Sequence, residues 1–171
     1  MKRYMTLPIV LIGVLTLAAC GAPSSNEISD LSLAQTKSPV QLLRNEAASR
    51  VSAVADATLL TTNDVSVACR SADEDPKGLE RQWQSAVTFA VPSDSLSVAH
   101  DLVDSFVGEE WSARSSVDDA TAYRVVLTKA TSTASIHLDA DESQLEVWTN
   151  GPCVTTAGAD SVEVTSLESS E

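Results

Sequence analysis

Hydrophobic positions change their spacing several times between residues 38 and 153, and each change marks an element. Val40, Leu43, Ala47, Val51 and Val54 recur every three or four residues, the stripe of an amphipathic helix. Ser38-Pro39-Val40-Gln41 matches a capping box for its start, and Asn63-Asp64 ends the segment. Period two then takes over. Val65, Val67 and Cys69 share one side of a short strand, and Trp83, Ser85, Val87, Phe89 and Val91 share one side of a longer one. The polar run from Asp73 to Gly78 is the loop between them. Helical spacing returns after Pro92-Ser93-Asp94, with Leu96, Ala99, Leu102, Val103 and Phe106 on the apolar side and Asp101 and Asp104 toward solvent. Gly108 stands where a C-terminal cap is expected. Trp111 then packs under the returning loop. Three alternating runs complete the pattern: Tyr123, Val125 and Leu127; Ala134, Ile136 and Leu138; Leu145, Val147 and Thr149.

The resulting order is α-β-β-α-β-β-β. Short links between the late strands favour hairpins over crossovers. One-sided alternation in each long strand calls for a helix layer on one face of the sheet. The prediction is therefore an α+β fold: two layers, a mainly antiparallel five-stranded sheet with helices packed on it. The single domain spans residues 38–153, long enough for one core. Residues 20–37 read as a flexible tether, rich in Ser and Ala. Residues 154–171 carry Asp160, Glu163, Glu168 and Glu171 without a basic residue, and read as a disordered acidic tail. Val162 and Val164 alternate with charges there, so a short extra strand is the alternative.

The chain opens differently. Met1-Lys2-Arg3 is a cationic start, and Leu7 to Ala19 is almost wholly apolar. Thirteen residues in a helix reach roughly 20 Å, short of the ~30 Å hydrocarbon core of a bilayer. Residues 1–19 thus fit a signal peptide better than a membrane span. Leu17-Ala18-Ala19-Cys20-Gly21 resembles the lipobox of bacterial lipoproteins. That resemblance covers residues 1–21 and implies cleavage before Cys20, acylation of Cys20, export, and anchoring by lipid to the outer face of the cell membrane. An ordinary secretory signal with a chance cysteine is the alternative. The layout as a whole, with a helix, a cysteine after an early strand and the closing Gly151-Pro152-Cys153, is loosely similar to small uncharacterised lipoproteins of actinobacteria. That similarity implies location and fold, not an activity.

Charge narrows the partners. The chain has 11 basic and 24 acidic residues, net −13; without Lys2 and Arg3 of the signal the balance is −15. Such acidity excludes nucleic acid as partner and excludes membrane docking through a basic patch. Attachment to the membrane then falls to the lipid on Cys20, with an envelope protein as the further partner. With Cys20 assigned to lipid, two of the three cysteines remain, Cys69 and Cys153. In an exported domain the expectation is a disulfide between them; free thiols or a catalytic cysteine are the alternatives.

Catalytic patterns are absent from the sequence. It contains no Gly-x-Ser-x-Gly elbow, no Ser-x-x-Lys and no Cys-x-x-Cys, and its six glycines make no phosphate loop. Asp139 to Ser143 starts like a calcium loop but has Gln144 and Asn150 where glycine and glutamate are required. The reading is accordingly non-enzymatic, without metal or cofactor. One surface stands out. Arg124, His137 and Trp148 lie on the less apolar side of the late strands, with Gln84 and Thr88 on an earlier one. If those strands are neighbours, they bring a cation, a titratable ring and a large aromatic to one binding face. The alternative is that the first helix covers this side and Trp148 belongs to the core. Two functions follow: a binding or interaction module of the cell envelope, or a carrier of a small molecule or lipid in a cavity between sheet and helices.

Overall fold

Helix α1 (Leu33–Val54) begins ahead of the Ser38-Pro39 pair. Its N-cap is Ser32, whose hydroxyl accepts from the Gln35 amide at 3.3 Å while the Gln35 side chain accepts from the Ser32 amide at 2.8 Å. Two capping boxes compete in this stretch, and the earlier one prevails because the added turn buries Leu33 and Thr36. Pro39 therefore falls inside the helix, where it leaves the Gln35 carbonyl without its usual partner. The expected tether, 20–37, is thus structured from Ser29 onward: Ser29 bridges Val154, and its amide donates to the Cys153 carbonyl at 2.7 Å. The computed structural model describes residues 28–92, 95–119 and 121–169. The signal peptide, the lipobox with Cys20, and the Ser93-Asp94 part of the second helix cap lie outside them.

The remaining elements are β1 (Thr58–Ala68), β2 (Glu80–Ala90), α2 (Ser95–Val107), β3 (Ser112–Asp118), β4 (Ala122–Lys129), β5 (Ser132–Asp139), β6 (Gln144–Asn150), β7 (Val154–Thr155) and α3 (Val162–Glu168). The class is α+β, with one open antiparallel sheet. The sheet has seven strands rather than five, in the order β1-β2-β6-β5-β4-β3, with β7 pairing β2. The first helix ends at Val54 rather than at Asn63-Asp64, because Thr58 to Asp64 extend β1 along Ala90 to Ser85 of β2. β3 escaped the pattern because six of its seven residues are exposed, so it shows no alternation to read. It is held as an edge strand by backbone pairing to β4. Insertion of β6 between β2 and β5 joins the β1-β2 hairpin to the β3-β4-β5-β6 meander.

The helices cover one face. α1 lies over β2 and β6, and α2 over β3, β4 and β5. The core between them holds Val87, Phe89, Val125, Leu127, Ile136, Leu145 and Val147 of the sheet against Ala47, Val51, Leu102 and Phe106. Trp111 closes one end, edge-on to Phe106 with ring centroids 5.4 Å apart. Gly151 sits where α1 crosses the chain after β6: a Cβ there would stand 3.0 Å from Val40 Cγ2 and 3.3 Å from Thr36 Cβ, so any larger residue would have to push α1 side chains aside.

A second cluster corrects the reading of residues 154–171 as a disordered tail. Leu33, Val40, Trp83, Val154 and Val164 are all buried together. Val164 and Leu167 share the inner side of α3, a three-residue spacing that a strand reading of Val162 and Val164 misses. Ser161 caps α3, and Glu168 accepts the edge amide of Ser66 in β1 at 3.1 Å. Cys69 and Cys153 are joined by a disulfide with a Cα separation of 6.1 Å, which fastens the end of β1 to the chain leaving β6.

Candidate functional site

Of the sheet's two faces, one is packed beneath the helices and the other carries no described element. Strand register arranges the uncovered face in rows. One row runs Thr61, Thr88, Glu146, His137, Arg124, each paired directly with the next across neighbouring strands. The next row runs Asn63, Ala86, Trp148, Ser135, Val126, Arg114. The third contains Val65, Gln84, Asn150, Thr133, Thr128 and Ser112. Period-two alternation places these side chains together because their odd-numbered or even-numbered neighbours are needed by the core.

Arg124, His137 and Trp148 therefore share the face, and the first helix does not cover it. Arg124 and His137 are direct cross-strand partners. Trp148 lies one row away, two residues along β6 from Glu146, and its indole N–H donates to the Glu146 carboxylate at 3.1 Å. Glu146 thus links the tryptophan to the histidine row. It was missing from the sequence-predicted set, although its position two residues before Trp148 on the same strand was the signal. Gln84 joins the face through its side-chain amide, which donates to Asn150 at 2.8 Å.

Burial, reinforced by the Arg124 guanidinium, holds the His137 imidazole below its ordinary value, with Glu146 pulling the other way. The ring is neutral at neutral pH and offers one donor and one acceptor. Beside it Arg124 is exposed, while Glu146 and Trp148 are half-buried. The set is suited to recognition: it has a cation, an anion, a two-way hydrogen-bonding ring and an aromatic plane.

The twist of the sheet turns this face into a trough of about 690 Å³. Its walls are the β3 edge from Ser112 to Ser116 on one side and the Cys69–Cys153 disulfide with Gln82 on the other. Its floor is Val126, Thr128, Thr133, Ser135 and Asn150. Most of the lining residues carry a hydroxyl or amide, yet more of the lining surface is apolar than polar, and Arg114 is its charged group. Trp148 stands next to the trough, opposite Ser135, while His137 and Arg124 continue the face beyond it. The sequence pattern did not reveal the trough, because β3, which walls it, has no alternation. Among the described residues no group of three or more His, Cys, Asp or Glu side chains could hold a metal ion.

No family model matches the chain, and no curated protein matches it. Among solved structures the chain is similar to one named "putative lipoprotein LppA" from Mycobacterium tuberculosis, with 9% sequence identity, 73% of this chain and 79% of that chain covered, and a TM-score of 0.45. No helix of the described residues is long and apolar enough to cross a membrane.

Proposed function

We propose that the protein is an exported lipoprotein, anchored through lipid on Cys20 to the outer face of the cell membrane, and that it acts as a binding module of the cell envelope through its helix-free sheet face. The observation that carries the binding role is the uncovered face itself. A sheet whose second face carries a trough, a half-buried tryptophan and charges of both signs is built for contact. The hydroxyls and amides of the lining, set in a larger apolar surface, suit a partner that presents both hydrogen-bonding groups and apolar area, and Trp148 supplies the large contact area typical of binding hot spots. Three features support the anchor: the Leu17-Ala18-Ala19-Cys20 segment, a disulfide of the kind that persists outside the cytoplasm, and an acidity that keeps the domain off anionic lipid. The carrier reading gains no support from the layer between sheet and helices, which is filled by the side chains of the core.

The test is an affinity purification from the protein's own envelope, comparing the wild type with a variant carrying Arg124→Ala, His137→Ala and Trp148→Ala. These side chains lie outside the core, so the variant should fold. Components retained by the wild type and lost by the variant are expected. Identical retention by both would refute the role of this face.

A further inference from the structure

A second cavity, of about 610 Å³, lies away from the sheet face, between the loop after Cys69 and the segment 157–161 that leads into α3. Its lining includes Arg70, Lys77 and Arg81. Nine basic residues follow Cys20 in the whole chain, so a third of them converge here, in a protein of net charge −13. Arg70 is paired with Glu80. The other two are not. Among the described residues, Lys77 has no ion-pair or hydrogen-bond partner for its ammonium group.

Arg81 is the unusual member. It is only 8% exposed, yet no carboxylate of the described residues lies within ion-pair distance. Its Nε donates to the Ser66 hydroxyl at 2.6 Å and its Nη2 to the Ser66 carbonyl at 2.5 Å, both neutral acceptors. Nη1 makes no hydrogen bond to a described residue and lies 3.1 Å from where a Cβ on Gly78 would stand. A guanidinium taken out of water without a counter-charge is costly, and natural proteins normally pair it. The acids near the cavity do not fill that role. Asp75 is committed to the loop backbone, accepting from the Glu80 amide at 2.8 Å, and Asp160 is exposed.

The cavity walls are also fixed. Gly78 and Gly158 both take positive φ, and a Cβ on Gly158 would stand 2.9 Å from the Lys77 carbonyl oxygen. The Thr156 hydroxyl donates to the Leu79 carbonyl at 3.1 Å and accepts from the Gly158 amide at 3.2 Å, tying the two segments together. The charge is thus held in place ahead of any ligand, which lowers the ordering cost of binding.

We propose that this cavity is a binding site for a small oxyanion-bearing ligand, a phosphate or carboxylate compound, with buried Arg81 as its anchor and Lys77 as the second cation. The planar fork of arginine matches both groups, and a charge-assisted bond to it strengthens where water is excluded. The site is separate from the sheet face, so its failure would leave the binding-module reading intact.

The test is an amide chemical-shift titration of the full chain, purified in mild detergent, with inorganic phosphate and separately with citrate, against sodium chloride at matched ionic strength. Saturable shifts centred on residues 77–81 and 157–161 are expected with at least one of the two, and which one responds assigns the ligand group. Lys77→Glu, an exposed position that leaves the fold intact, should weaken that binding several-fold, and Arg81→Gln should abolish it. If Arg81→Gln does not fold, Lys77→Glu and the shift map decide. Non-saturating shifts with both anions, shifts centred on Arg114 or Arg124, or unchanged binding in Lys77→Glu would overturn the proposal.

Discussion

Val162 and Val164 stand two residues apart in α3 and make opposite predictions. Val162 is 84% exposed, whereas Val164 is 0% exposed and lies in the cluster with Leu33, Val40, Trp83 and Val154. Val164→Ala removes the equivalent of two buried methylenes, worth about 1.6 kcal/mol of transfer at ~0.8 kcal/mol each, and leaves a small cavity beside Trp83. The total cost should be about 2 kcal/mol, a sizeable part of the 5–15 kcal/mol that holds a typical domain. For a domain of this size that corresponds to a fall in melting temperature of roughly 6 °C. Val162→Ala, by contrast, should stay within about 0.5 kcal/mol of the wild type. Urea unfolding followed by tryptophan fluorescence provides the assay, with the m-value checked for constancy. Equal, negligible effects of both substitutions would refute the docking of α3. They would restore the tail that composition suggests.

Other expectations are as direct. Cys20→Ala should abolish acylation and block maturation at this position; unchanged incorporation of labelled fatty acid would remove the anchor. Cys153→Ser opens a bridge between residues 84 apart in sequence and should cost up to about 4 kcal/mol, read as a lowered urea midpoint; an unchanged midpoint would show that the bridge adds no stability. The His137 imidazole sits below its ordinary value of 6.5 in the folded state, so between the two values the unfolded chain binds more protons. Stability from this residue is therefore complete above about pH 6.5 and declines as pH falls toward the folded-state value. His137→Gln should flatten that part of the profile, and a variant with the wild-type slope there would contradict the assignment. Asp75 and Asp119, whose carboxylates are held below 3.8 by backbone N–H groups, contribute losses only at lower pH.

Elements that bury one side were legible in the sequence, and elements that do not were missed. β4, β5 and β6 alternate because each has a core face and a bare one, and the same alternation named Arg124, His137 and Trp148 as neighbours. β3 and the first half of β1 are exposed edge strands held by backbone pairing, which leaves no mark on side-chain pattern. The start of α1 failed for a different reason. Ser32-Gln35 and Ser38-Gln41 are both acceptable capping boxes, and only burial of Leu33 against Trp83 and Val164 chooses between them. That choice depends on the C-terminal segment, so reading 154–171 as a tail and starting the helix at Ser38 were one error. The Arg81 cavity was invisible for a similar reason: Arg81 alternates onto the buried side of β2, and nothing local shows that it meets the neutral Ser66 there and no carboxylate of the described residues.

We propose the sheet face that carries no described helix as the working surface. A photo-reactive side chain placed at Ser135, on the floor of the trough, or at Ser52, on the exposed side of α1, tests it in the intact envelope. A discrete crosslinked species is expected from position 135, lost when Trp148→Ala is added, and none from position 52. Crosslinks from position 52 alone, or equal yields from both, would contradict it.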